Sequence, residues 1–170
     1  AAASKEGREF AMRNADFLFT PVFDFDHAVI TAAEIAEAST KINREVGVLT
    51  FSTVVCRPTE REANEFLDYY ANQNADWTAV DNLMALQGMH AQSFTREALA
   101  MFRDRFAAGH GGFPLIGTPE RIADDLERLS LAGVAGTTLS FVDYAEEFPY
   151  FAENVIPILE KKGLREPFTT

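Results

Sequence analysis

Apolar and polar residues along this chain switch repeatedly between a helical and a strand-like period. Lys5 to Asn14, following Ser4, has the helical period, and Ala15-Asp16-Phe17-Leu18-Phe19-Thr20 reads as a strand. Asp26 to Asn43 predicts a second helix, with Val29, Ile30, Ala33, Ala36 and Ile42 as its inward face. Val46 to Cys56 (VGVLTFSTVVC) is the most strand-like run, rich in β-branched residues. Arg57-Pro58-Thr59-Glu60 turns it into a third helix that reaches about Ala71.

The last third repeats the alternation most clearly. At Gly117-Thr118-Pro119-Glu120, Thr118 can cap a helix, Pro119 suits its first position and Glu120 complements its positive end. Ile122, Ala123, Leu126 and Leu129 share one face, with Asp124, Asp125, Glu127 and Arg128 mainly turned away. Gly133 and Gly136 end this helix and release residues 137–142 (TTLSFV), apolar enough for a strand covered on both sides. Asp143 and Tyr144 follow at that strand's C-terminal end. A final helix from Glu146 presents Phe148, Phe151, Val155, Ile156 and Leu159, with Pro157 marking a kink or a delayed start and Gly163 the stop. This is α/β alternation. Repeated βα units build either a closed parallel barrel or an open doubly wound sheet, and both carry their chemistry at the C-terminal strand ends.

Composition narrows the function classes. A chain of 170 residues with 47% hydrophobic residues and 15 phenylalanines can bury one good core. A formal net charge of −11 disfavours nucleic acid as a partner, because no basic stripe is available for phosphates. Lys161-Lys162 and Arg103/Arg105 read as solvated helix surface. The single cysteine, Cys56, excludes an internal disulfide and a cysteine zinc cluster; it reads as a small core residue with no adjacent base. No signal peptide or membrane-spanning run is visible, so the expectation is a cytoplasmic protein without a membrane partner.

Several residues carry candidate chemistry. Ser4 to Gly7 opens a helix, where free amides and a hydroxyl can bind an anion; a plain serine N-cap explains the same residues. Phe19, Thr20 and Phe23 follow one strand and Phe51 lies within another, as cofactor wall or as core. His90 and His110 fall in the long segment before Gly117, where a histidine can give a hydrogen bond or a proton. His110 sits in AGHGGFP, a glycine-rich stretch suited to a conformational role. Asp143 and Tyr144 suit a substrate-lining position, although an aspartate after a strand is equally a helix cap. His27 beside Asp24 and Asp26 invites a metal, but capping explains the aspartates more simply, and no metal is expected.

The chain opens at a helix entrance with no strand in front of it, and about three strands can be counted where a closed barrel has eight. Either this is a small open α/β domain, or its beginning is a cut and it is the later part of a larger barrel. Three segments favour the second. The opening ASKEGREFAMRNADFLFT, the middle ADWTAVDNLM with FRDRFAAGHGGFPLIGTPERIADDL, and the closing GTTLSFVDYAEEFPYFAENVIPILEKKGLR together resemble the C-terminal half of the luciferase-like flavin-dependent monooxygenases. That family includes bacterial luciferase, the alkanesulfonate and dimethylsulfone monooxygenases and a pyrimidine-ring-opening enzyme; the sulfone and pyrimidine branch is the nearest in pattern.

The resemblance implies a (β/α)8 TIM barrel, present here as three to four βα units in one domain over residues 1–170, with residues 72–116 as an insertion or lid. It implies reduced FMN at the C-terminal strand ends, supplied by a separate flavin reductase, and oxygenation of a small organic substrate such as a sulfone, sulfonate or pyrimidine with O2. Carried over by position, Ser4, Gly7 and Arg8 become cofactor-binding, His90 the catalytic candidate, and Phe19, Asp143 and Tyr144 substrate-lining. Ala2 departs from the family's usual glycine and tightens the approach to phosphate. A half barrel needs a partner, either its missing N-terminal half or a second copy, and a homodimer or tetramer is usual for such proteins. The alternatives are a non-catalytic flavin- or phosphometabolite-binding α/β module, or an inactive piece of such an enzyme.

Overall fold

A computed structural model describes residues 1–2, 4–89 and 94–167. Helix α1 (Lys5–Asn14) starts at Ser4, whose Oγ accepts the Gly7 N–H at 3.1 Å, and gives way at the extended Ala15 to strand β1 (Phe17–Phe19). Helix α2 (Phe25–Thr40) is capped by Asp24, which accepts the His27 N–H at 2.7 Å. Strand β2 (Gly47–Cys56) leads into α3 (Glu60–Asp68), capped by Thr59 and continued by a π-helical turn over Tyr69–Gln73. Helices α4 (Trp77–Leu86) and α5 (Arg96–Gly109) then pack on one another. Strand β3 (Phe113–Gly117), α6 (Pro119–Leu131), β4 (Val134–Ser140), α7 (Tyr144–Asn154) and α8 (Ile156–Lys161) complete the order.

The described sheet has four strands, all parallel, and β2 pairs with each of the others. Residues 47–49 of β2 pair with β1 and residues 52–56 with β3, while β4 runs along residues 48–53. Parallel strands need crossover connections, and here helices supply them. Those helices cover one face of the sheet. Val54, Cys56 and Leu115 meet Ile122, Ala123 and Leu129 of α6, Phe151 of α7 and Val155 between α7 and α8. A second cluster joins Leu18 and Val48 to Ala32 and Ile35 of α2. A third, separate cluster holds α4 to α5 through Val80, Met84, Phe102 and Phe106.

Several expectations change. Residues 72–116 are not a single insertion or lid, since residues 113–116 belong to β3 in the sheet, and Phe148 is exposed. The inward face of α2 is Ala28, Thr31, Ala32, Ile35 and Ser39, whereas Val29, Ile30 and Ile42 are exposed. Small residues win that face because α2 approaches the turn before β4 closely: a Cβ on Gly133 would lie 2.8 Å from that of Ala32. Asp125 is buried, held by Arg121 at 2.9 Å and Arg128 at 3.3 Å. Strand β4 begins at Val134, so only Gly133 (φ +94°) ends α6, and Gly136 lies within the strand. That strand is covered on one face only, with Thr138 and Ser140 exposed, since the described helices leave its other face open. Pro157 acts as expected: the helix breaks at Val155 and restarts one residue before the proline.

Candidate functional site

The open face of the sheet is where side chains converge. Phe19 pairs in register with Leu49, so Phe19, Leu49 and Phe51 point to the same side, and the Phe19 and Phe51 rings stack with centroids 6.1 Å apart. Gly47 makes room for Phe17 on that face; a Cβ there would lie 2.7 Å from its ring. Above Phe19 and Phe51 sits the α4–α5 pair. Together they enclose a hollow of about 640 Å³, open to solvent, lined by Phe23, Phe94, Phe102, Phe106, Met89, Gln87 and His110 as well as Ala1 and Ala2. Its size is typical of a small-molecule site.

Specific contacts hold α5 in place. Thr53 on β2 donates to the carbonyl of Gly109 at 3.1 Å, and a Cβ on Gly109 would overlap the Thr53 hydroxyl. His110 turns the chain in the left-handed conformation (φ 56°), followed by Gly111 (φ 80°). The Arg105 guanidinium donates to the Phe23 carbonyl. Burial lowers the pKa of Arg105, and Asp24 opposes that shift. At the rim, Gln87 Nε2 lies 3.2 Å from His110 Nε2, so the end of α4 is tied to the end of α5.

A second feature adjoins the hollow. The Ala2 N–H donates to the Phe19 carbonyl at 2.9 Å, which lays residues 1–2 along the C-terminal end of β1 and beside the first turn of α1. Gly7 is required for that approach, because a Cβ there would lie 2.8 Å from the Ala2 methyl and 3.2 Å from Ser4 Oγ. Arg8 folds back onto the same end: it donates to Thr20 Oγ1 at 3.5 Å and pairs with Glu34 at 3.8 Å. Its buried Nε has no hydrogen-bond partner among the described residues. The Ala2 methyl takes the room that a Gly7 Cβ would fill; a helix entrance with an unsatisfied guanidinium nitrogen beside it fits an anionic group such as phosphate.

The remaining candidates separate. Ser4, Gly7, Arg8, Phe19 and Thr20 come together, with Phe23, Phe51 and His110 around the adjoining hollow. His90 lies outside the described residues. Asp143 caps α7, accepting the Ala145 N–H at 2.9 Å, and Tyr144 donates to the Leu139 carbonyl; neither lines the hollow. His27 accepts the Phe23 N–H through Nδ1 and packs on the Phe23 ring. Cys56 is buried, and burial, aided by Glu120 and Glu147 against Arg57, pushes its thiol up to about 11. Tyr70 is pushed up to about 12, chiefly by burial. No helix among the described residues is long and apolar enough to cross a membrane.

Sequence reasoning missed the roof residues Gln87, Met89, Phe94, Phe102 and Phe106. The signal present was the four-residue spacing of Phe102 and Phe106 above the glycines that follow them. It also missed the buried contact between Arg57 and Glu147, which no local pattern connects.

A model of the luciferase-like monooxygenase family matches residues 1–136, and the chain belongs to that family. An FMNH2-dependent dimethylsulfone monooxygenase of Pseudomonas fluorescens (strain Pf0-1) is 27% identical, over 94% of this chain and 45% of that protein. A dimethyl-sulfide monooxygenase of Hyphomicrobium sulfonivorans is 26% identical, over 96% of this chain and 40% of that protein. Among solved structures, DmoA from Hyphomicrobium sulfonivorans superposes with a TM-score of 0.78 at 21% identity, over 99% of this chain and 42% of that one. The long-chain alkane monooxygenase LadA superposes with a TM-score of 0.73 at 23% identity, over all of this chain and 42% of that one. The fold is therefore that of part of a luciferase-like barrel. The chain spans less than half the length of the curated relatives it matches.

Proposed function

We propose that this member of the luciferase-like monooxygenase family serves an enzyme that uses reduced FMN and O2 to oxygenate a small organic molecule. One observation carries the reading: an anion cradle at Ser4, Gly7 and Arg8 adjoins a phenylalanine-lined hollow at the C-terminal end of β1. A cofactor with a phosphate at one end and a flat, largely apolar ring at the other has those two requirements. The helix entrance at Ser4 and Gly7 and the charge of Arg8 would hold the phosphate, and Phe19 and Phe51 would border the ring. The bound flavin supplies two electrons, so that one oxygen atom enters the substrate and the other leaves as water. This chain's residues would bind, orient and exclude water, with α4 and α5 as the cover.

Further parts of the reading follow from the same family likeness. A separate flavin reductase supplies the reduced cofactor. The rest of the barrel wall comes from other strands of a longer chain or from a second copy, and the assembly is a homodimer or tetramer. The location is cytoplasmic, in keeping with a lone buried cysteine and no bridged pair.

The test is titration with FMN followed by turnover with reduced flavin, O2 and candidate substrates. The expected result is bound flavin, lost by about 10- to 100-fold in Arg8→Ala, as for a charge-assisted hydrogen bond worth about 1.5–3 kcal/mol. Absence of flavin binding overturns the reading. Bound flavin with no oxygenated product under any condition reduces it to a non-catalytic flavin-binding module.

A further inference from the structure

We infer that the hollow selects an uncharged, mainly apolar organic substrate that carries one hydrogen-bonding group, and that Gln87 and His110 orient that group; this rests on the monooxygenase reading above. The described walls are mainly aromatic. Phe19 and Phe51 form the floor from the sheet, and Phe23, Phe94, Phe102 and Phe106 form the side and roof. Those roof rings are set against each other, with Phe102 edge-on to Phe23 at 5.0 Å and to Phe94 at 5.3 Å, so the lining is packed by its own contacts.

Among the described residues around the hollow there is no lysine, arginine, aspartate or glutamate. Arg105, which does not line the hollow, is committed to the Phe23 carbonyl. An anionic substrate would lose its hydration without gaining a counter-charge, in a chain whose formal net charge is already −11. A neutral ring or alkyl chain meets no such cost.

Among the described residues, side-chain polarity is confined to one point on the rim. Gln87 and His110 lie at the ends of α4 and α5 and face each other at 3.2 Å. Both are exposed, so each retains hydrogen-bonding capacity toward a ligand: the amide carbonyl and second N–H of Gln87, and the other ring nitrogen of His110. Buried polar groups are few in small-molecule sites and fix orientation, whereas apolar walls supply affinity. The pair is also where a methyl sulfone, ketone or hydroxyl at the end of an aromatic or alkyl body would present its oxygen.

The experiment uses the whole chain and a neutral fluorescent reporter, N-phenyl-1-naphthylamine, displaced by three compounds of one body: methyl phenyl sulfone, benzenesulfonate and toluene. The expected result is that the sulfone displaces the reporter at a concentration at least about tenfold below that of the sulfonate. His110→Ala and Gln87→Ala, both at exposed positions and checked for folding by circular dichroism, should weaken the sulfone about five- to tenfold and leave toluene unchanged. Equal or tighter binding of the sulfonate, or no displacement by any of the three, overturns the inference. Variants that weaken toluene as much as the sulfone overturn the orienting role. FMN binding is titrated in parallel. Retained FMN with sulfonate preferred removes this inference alone, and sulfone preference without FMN removes the flavin reading alone.

Discussion

Arg57 and Glu147 stand ninety positions apart in the chain and meet at 2.6 Å, with Glu147 only 7% exposed. The other Glu147 oxygen accepts the N–H groups of Val142 and Asp143, and Arg57 also donates to its neighbour's carbonyl and covers the Phe66 ring. One carboxylate thus joins the end of β2 to the turn that starts α7. Removing one partner of a buried pair leaves a stranded charge and costs about 3–5 kcal/mol. Glu147→Ala should fall near the lower end, about 3 kcal/mol, because Arg57 retains some solvent, while a double Arg57→Met, Glu147→Leu variant should recover most of that loss. Urea unfolding measures both, and an additive double variant would contradict the pairing.

Gly7→Ala separates binding from stability. Alanine suits a helix better than glycine by about 1 kcal/mol, so α1 should hold or gain stability. The new methyl would lie 2.8 Å from the Ala2 side chain and push residues 1–2 off the end of β1. FMN affinity should fall at least about tenfold with the melting temperature unchanged or raised. An unaltered FMN titration would remove the cradle from the site.

Gly109→Ala should loosen the roof of the hollow. Its methyl would meet Thr53 Cγ2 at 2.8 Å and overlap the hydroxyl that donates to Gly109. Overpacking of this kind costs about 1–3 kcal/mol. Thr53→Ala removes the two closest atoms, so the double variant should be more stable than Gly109→Ala alone. Thermal unfolding of the three proteins decides it.

Alkaline pH should destabilise the fold in a defined window. Cys56 is raised to about 11 and Tyr70 to about 12 by burial. Both groups stay protonated in the folded state after they have begun to ionise in the unfolded chain. Their contribution is therefore complete below the unfolded values, about 8.5 and 10, and is lost as pH climbs through the folded ones. Unfolding free energy measured from pH 8 to 11 should decline. Over the same range a thiol reagent should label the native protein slowly and the urea-unfolded protein at once.

The sequence made some of this architecture readable and hid the rest for physical reasons. The helix after Ser4 and the entrance at Thr118-Pro119 were legible because capping and proline chemistry act locally. The face of α2 was not. Val29 and Ile30 are the more hydrophobic residues, but close approach to Gly133 selects the smaller Ala28, Ala32 and Ser39 for burial. Strand β3 was hidden by Pro114 and by its length of five residues. Of the proposed site, Ser4, Gly7, Arg8 and Phe19 were candidates from the helix entrance, the strand that follows and the family resemblance. Gln87 and His110 were not paired in advance, since 23 positions separate them and only the packing of α4 on α5 brings them together.

The pairing of β2 with three strands has a consequence during synthesis. Its edge toward β4 is filled by residues made some 85 positions later, as the 2.7 Å contact of Ser52 with Thr137 records. A chain emerging from the ribosome exposes that edge, with Leu49 and Phe51 beside it, for as long as the intervening helices take to appear. At about 5–20 residues per second this is roughly 4–17 seconds. Throughout that interval the nascent protein presents an unpaired, apolar β-edge, the kind of surface that chaperones shield and that neighbouring nascent chains on a polysome can capture.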